Sequence, residues 1–315
     1  MNQQQTNERG RGGENSDGNS NSTIKVTSGL AAELAERLAA AGMEGNEPKI
    51  EGSGPKRSQR YDLIVQGVAR YNYLSWGQLA RLYYWNLTAK SQAQRLKIEL
   101  GALAQAEWLM REQTSDWGFV YRLGHWGRVL QAVRMGRTLF NDRRVLRDHD
   151  LIGAEFMSQV VAEARGRDGS MQWFGEYETQ MSEELRPDGI GRVTVAGARL
   201  DFFLEADNAT EREWQFGGKF FTYQKYLEGG GWRRRFNRES FPVVAVVTAG
   251  KELRLTGMIE AIEARMRSTG VSLPFYFTTQ NRVERAIQMG VDGPLFGEVW
   301  SLPFQEGLHR LWPVE

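Results

Sequence analysis

Apolar and polar positions along the chain fall into blocks whose period changes several times. Residues 1–23 carry few apolar positions and are rich in Gly, Asn, Gln and Ser. Such a segment buries too little apolar surface to offset the entropy of ordering, so it is expected to be disordered. In 28–42, Leu30, Leu34 and Leu38 recur at helical spacing behind Ser28. This predicts a short helix that either lies on the next domain or docks a partner. Residues 44–57 read as a linker. From Arg60 the helical period tightens, with Tyr61, Ile64, Val65, Val68 and Tyr71 on one face. Ser75 and Gln78 have the spacing of a capping box for a second helix. Thr88 or Ser91 opens a third helix through Leu96, Leu100 and Leu103. Residues 107–123 then read as two strands about a turn near Ser115–Gly118, and a further helix starts near Trp126.

The pattern changes again near Arg147. A helix over 148–165 precedes strands near 171–178, 190–195 and 199–206, and a helix runs over about 211–227. The nearly unbroken apolar run from Phe241 to Ala249 is the signature of a strand buried on both faces. A helix over 252–268, a strand at 273–279 and a helix over 281–289 complete the chain. The expected class is α+β, divided into a tail with a short helix and linker (1–57), a helical unit with a hairpin (58–146) and a mixed sheet-and-helix unit (147–315).

Composition narrows the chemistry. A chain of 315 residues is long enough for two cores, and its net charge of +1 means that any affinity for nucleic acid rests on local patches. The absence of cysteine excludes disulfides, thiolate zinc sites and cysteine nucleophiles. The three histidines, His125, His149 and His309, are far apart, which argues against a zinc hydrolase or a histidine-cluster nickase. The polar N-terminus lacks the apolar segment of a signal peptide, and no apolar run approaches the roughly 20 residues of a membrane span. A soluble, cytoplasmic chain with no membrane insertion is expected.

Three helices followed by a hairpin suggest a winged helix-turn-helix that binds DNA. In its third helix Lys90, Gln92, Arg95 and Lys97 are candidates to meet phosphates and base edges, joined by Arg111 and Arg122 on the wing. Each alone reads equally as a solvated surface charge, and winged helices also mediate protein contacts.

A second signal is acidic. Asp188 lies in Arg-Pro-Asp-Gly; an apolar strand then delivers Glu205 and Asp207; Lys219 follows on a helix. Strand side chains alternate, so Glu205 and Asp207 share a face. With Asp188 alongside, three carboxylates converge as oxygen ligands for Mg²⁺ or Mn²⁺, and Lys219 is placed to stabilise charge on a phosphate. Tyr223, one turn beyond Lys219, reads as a nucleophile or as a packing or base-stacking aromatic. The Gly-rich run at 229–238, with Arg233, Arg234 and Arg235, reads as a loop that grips a phosphate backbone or as a solvated surface loop.

The order Pro187-Asp188, Phe203-Leu204-Glu205-Ala206-Asp207, Lys219 resembles the PD-(D/E)xK nuclease superfamily, which implies a restriction-endonuclease-like α/β/α domain with a mixed sheet. The chain departs from that pattern in placing Asp207 where the lysine usually stands, so that Lys219 would be a migrated lysine. A closer resemblance is to the replication-relaxation family of mobile elements. It is carried by the N-terminal winged-helix layout and by His149-Asp150-Leu151, Pro187-Asp188, Phe203 to Thr210, Lys219 and Tyr223. The C-class mobilisation relaxases are similar in layout. The resemblance implies that Asp188, Glu205 and Asp207 hold Mg²⁺ or Mn²⁺, that Lys219 stabilises charge, and that Glu155 or Asp150 adds a ligand or orients water. For Asp150, compensation of helix N-terminal charge is the competing role. For His149, a phosphate contact competes with capping or core packing. The implied function is a plasmid mobilisation relaxase nicking one DNA strand at a transfer origin, partnered by an accessory mobilisation protein and a type IV coupling protein. The alternatives are a non-catalytic DNA-binding replication or copy-control accessory with a degenerate nuclease core, and a general defence nuclease.

Overall fold

The computed structural model describes residues 28–41, 57–135, 148–175, 178–210 and 212–312. The expected disordered tail 1–23 and nearly all of the linker 44–57 lie outside the described residues, as does the boundary expected between 146 and 147.

The first unit is built from α1 (Ser28–Ala41), α2 (Arg57–Tyr71), β1 (Leu74–Ser75), α3 (Trp76–Tyr83), α4 (Ala89–Gln105), β2 (Leu109–Thr114), β3 (Gly118–Leu123) and α5 (His125–Met135). The apolar face of α2 disappears into the core: Ile64, Val65 and Val68 are fully buried. The capping box at α3 forms as its spacing predicts. Ser75 Oγ accepts from the Gln78 backbone N–H at 3.3 Å, and the Gln78 side chain accepts from the Ser75 N–H at 2.8 Å. Thr88 caps α4 by accepting from the Ser91 N–H. The strands β2 and β3 form the expected hairpin, and the two-residue β1, which the apolar pattern does not announce, adds a third strand beside β3. Of the two readings for the first helix, packing on its own unit holds: Leu34 is buried in the core and the Arg37 guanidinium lies 4.2 Å from the centre of the Trp126 ring.

The second unit carries a five-stranded sheet in the order β4-β5-β6-β7-β8 (Ser170–Gly175, Gly189–Val195, Ala198–Asp207, Val243–Thr248 and Phe275–Thr279). The first three strands are antiparallel neighbours, whereas β6, β7 and β8 run parallel, so the sheet is mixed. Alternation along β6 sorts its side chains cleanly. Phe202 and Leu204 join the core shared with α6 (Asp148–Arg165), whereas Phe203 joins the core under α7 (Glu213–Glu228), α8 (Gly231–Phe236) and α9 (Glu252–Thr269). The last helix, α10 (Gln280–Gln288), lies on the α6 side through Val283 and Ala286. Parallel crossovers β6-α7/α8-β7 and β7-α9-β8 bring the first turns of α7 and α9 to the ends of β6 and β7.

The two units share a core. Gln78 Nε2 on α3 donates to the Leu151 carbonyl on α6 at 3.1 Å, Arg165 at the end of α6 donates to the Leu82 carbonyl at 2.8 Å, and Tyr71 stacks on Trp173 with ring centres 5.6 Å apart. Gly175 at the end of β4 lies so close to the α2 backbone that a Cβ there would sit 2.0 Å from the Arg70 carbonyl oxygen. No described helix is long and apolar enough to cross a membrane.

Candidate active site

The acidic residues gather at the end of β6, and pairing explains how. Because β5 and β6 are antiparallel with Gly189 opposite Leu204, the residue before Gly189 falls at the level of Glu205. Asp188 is pinned there twice: its N–H donates to the Leu204 carbonyl at 3.1 Å, and its Oδ2 accepts from the Ala206 N–H at 2.8 Å. The glycine after it is required, since a Cβ on Gly189 would strike the Trp173 ring at 1.5 Å.

Glu205 points from β6 beneath α7 and is only 3% exposed. Lys219 of α7 forms an ion pair with its Oε2, and the Tyr223 hydroxyl, one turn later, donates to its Oε1 at 2.6 Å. Burial pushes the Glu205 carboxyl above the ordinary range and Asp188 adds to that push, while Lys219 and the Tyr223 hydrogen bond pull the other way. The lysine bridges buried acid and solvent, with 40% of its side chain exposed.

Tyr223 itself is fully buried, and burial followed by the Glu205 charge raises its phenol well above the ordinary tyrosine value. A phenol without exposed surface, committed to a carboxylate, reaches neither a phosphodiester nor a base. The structure therefore corrects the nucleophile and base-stacking readings: Tyr223 holds Glu205.

Asp207 is also corrected. It shares the face of Glu205, but Arg254 from α9 grips it with two bonds of 2.7 Å and the Thr248 hydroxyl donates to it at 2.5 Å. Burial raises this carboxyl, yet the bonds from Arg254 and Thr248 outweigh burial and hold it below the ordinary aspartate range. Its charge is neutralised by a bidentate guanidinium, so it is not part of a shared cage with Asp188 and Glu205. Glu155 is elsewhere as well. It faces α3, with Arg81 Nη1 at 3.0 Å, Gln159 donating at 2.8 Å and Gln78 at 3.2 Å, and serves the junction between the units.

The neighbours that do come to Asp188 are His149 and Asp150, from the first turn of α6. His149 Nε2 lies 3.3 Å from Asp150 Oδ1 and 3.9 Å from Asp188 Oδ1. With Asn72, Trp173 and Gly153 they line a small cavity beside the site. Asn72 comes from the other unit: it sits just past α2 in the left-handed region (φ 61°) and donates to Asp150 Oδ1 at 3.4 Å. Neither Asn72 nor Arg254 was flagged by the sequence pattern. An Asn closing a helix is the one available hint for the former.

Among the described residues no group of three or more His, Cys, Asp or Glu side chains is arranged to hold a metal ion. Two carboxylates, Asp188 and Glu205, come together at the end of β6, with Lys219 paired to Glu205. Mg²⁺ keeps several waters and is commonly held by one or two carboxylates together with substrate phosphates.

The candidate DNA contacts divide in the same way. Lys90, Arg95 and Lys97 are exposed on α4, and Arg111 is exposed on the hairpin with its guanidinium 4.7 Å from the centre of the Phe119 ring. Gln92 is half-buried on the same helix, and its amide donates to the Tyr84 carbonyl at 2.9 Å. Arg122 is paired with Glu112 across the hairpin. The run carrying Arg233, Arg234 and Arg235 is not a loop. It is the short helix α8, anchored by buried Trp232 and Phe236, with all three arginines exposed.

A family model described as replication-relaxation matches residues 66–244, more than half of the chain. The match spans the end of α2 through the start of β7 and so includes Asp188, Glu205, Asp207, Lys219 and Tyr223. No curated protein and no solved structure matches the chain.

Proposed function

The chain belongs to the replication-relaxation family, and from that premise we propose that it is a metal-dependent DNA-nicking enzyme acting at a plasmid transfer origin to start mobilisation. In this reading the first unit is a winged helix-turn-helix that places duplex DNA through Lys90, Arg95, Lys97 and Arg111. The second unit is a PD-(D/E)xK-like core that breaks one strand. Its partners are then the transfer-origin DNA, an accessory mobilisation protein and a coupling protein.

One observation carries the reading: a buried glutamate, a pinned aspartate and a partly exposed lysine meet at the end of one strand. Asp188 and Glu205 would hold Mg²⁺ or Mn²⁺, which when bound polarises a phosphodiester and lowers the pKa of a water. Lys219, already beside Glu205, stabilises negative charge developing on the phosphate. Tyr223 fixes the rotamer of Glu205 and keeps water from one of its oxygens. Asn72 and Tyr71 tie the DNA-placing unit to the wall of the site, so that the bound duplex and the acidic pair keep a fixed relation.

The test is conversion of supercoiled plasmid bearing the cognate mobilisation region to open circles, with Mg²⁺ or Mn²⁺ and with EDTA. The reading expects metal-dependent nicking that Glu205→Ala abolishes while DNA binding persists. Nicking retained in a folded Glu205→Ala protein would exclude this site. The neutralisation of Asp207 by Arg254 favours a second reading, a DNA-binding accessory with a degenerate core. It predicts a gel shift with intact supercoils under every metal condition, even when the accessory partner is supplied.

A further inference from the structure

At the other end of β6 lies a second charged cluster that the acidic site does not use. Asp201 is the cross-strand partner of Arg192, and only 2% of its side chain is exposed. Three guanidiniums converge on it. Arg192 Nε is 2.8 Å from Oδ1, Arg199 contacts both oxygens at 2.8 and 2.9 Å, and Arg238 Nε is 3.3 Å from Oδ2. The arginines also brace one another: Arg238 donates to the Arg199 carbonyl, and Arg199 donates to the Phe236 carbonyl at 2.7 Å. That last bond fixes the cluster to the end of α8, a helix whose Arg233, Arg234 and Arg235 are exposed.

Arginine does not lose its proton in proteins, so three guanidiniums carry two more positive charges than the one carboxylate they share can neutralise. A structural ion pair needs one arginine. Each of the three keeps about a quarter to a third of its side chain in solvent, 27% for Arg192, 26% for Arg199 and 35% for Arg238. Asp201 thus acts as a buried template that holds planar, multi-donor cations in fixed positions at the surface, the arrangement that recognises phosphate. Asp201 and Glu205 project to the same face of β6, four residues and about 13 Å apart at the rise of a strand. That span equals roughly four base steps of B-form DNA.

We propose that Arg192, Arg199 and Arg238, with α8 beside them, form a phosphate-binding site for the DNA backbone a few nucleotides from the scissile bond. It rests on the DNA-nicking reading for its ligand but not for its test. Binding of labelled duplex to the full-length Glu205→Gln protein would be measured by anisotropy across a salt series, and melting temperature alongside. Replacing Arg192 and Arg238 by Gln leaves the Arg199–Asp201 pair neutral and intact. Affinity is expected to fall about tenfold at low salt and the dependence of log affinity on log salt to become shallower by about two. The Arg192→Lys/Arg238→Lys variant, which keeps the charge, should retain most of the slope; if the double Gln variant fails to fold, Arg238→Gln alone replaces it, with the slope expected to become shallower by about one. An unchanged slope in the folded Gln variant, or a slope lost equally in the Lys variant, would overturn the proposal. Absence of any duplex binding by the parent protein would instead sink the DNA reading on which it rests.

Discussion

Glu205 and Asp207 are two residues apart on one strand, on one face, with the same charge, and the fold gives them opposite tasks. Glu205 meets a lysine whose head reaches solvent and a buried tyrosine. Its carboxyl is pushed up by burial and by Asp188 beside it. Asp207 meets a bidentate arginine and a threonine, and is held down. The difference lies in what the following crossover delivers. The helix after β6 brings a point charge that reaches solvent, whereas the helix after β7 brings a planar fork that holds both oxygens of the acid. Shared face and shared charge therefore do not make a shared site; the partner decides.

The comparison is broken most severely by removing the partly exposed cation, Lys219. Lys219→Gln should reduce the nicking rate about 10²- to 10³-fold, the usual cost of losing one electrostatic contact to the transition state. Its stability should fall as well, by about 2 kcal/mol, because the nearly buried Glu205 loses its cation, so the rate is read per folded molecule. Nicking at the wild-type rate by this variant would remove Lys219 from the mechanism. Asp207→Asn should act mainly on stability. It removes the anion from the largely buried Asp207–Arg254 pair and should cost about 3 kcal/mol of stability by denaturant unfolding, with nicking per folded molecule within a few-fold of wild type. Tyr223→Phe should be milder, losing about 2 kcal/mol from one hydrogen bond to a buried carboxylate, visible in the same unfolding curves. Acid should narrow the contrast last. The folded Asp207 carboxyl sits below its ordinary value of 3.8. Its contribution is therefore fully present above that value and disappears as pH falls through the depressed one. The stability gap between wild type and Asp207→Asn should thus close below about pH 4 in a pH-dependent melting series.

What the sequence made legible follows the same division. The capping box at Ser75 and Gln78, the apolar run of β7 and the alternation in β6 are local patterns, and each element formed where its pattern lies. The Asp188, Glu205 and Lys219 grouping was readable because β5–β6 pairing and the next helix are near neighbours in sequence. Arg254 was not, because its contact with Asp207 spans 47 residues and depends on how α9 returns over a parallel sheet. Gln92 looked like a base-reading side chain, but the backbone turn before α4 leaves the Tyr84 carbonyl within its reach. In α8 the glycines and arginines suggested a loop and masked the helical spacing of Trp232 and Phe236, the two residues that anchor it.

Nicking of supercoiled plasmid carrying the mobilisation region, in Mn²⁺ and with wild type, Asp188→Asn and Asp207→Asn side by side, tests the central claim most directly. The account predicts open circles from wild type and from folded Asp207→Asn, and none from Asp188→Asn. Equal loss of nicking in both aspartate variants, with Asp207→Asn shown to be folded, would contradict a site built on the pair Asp188 and Glu205 and restore Asp207 to the reacting centre.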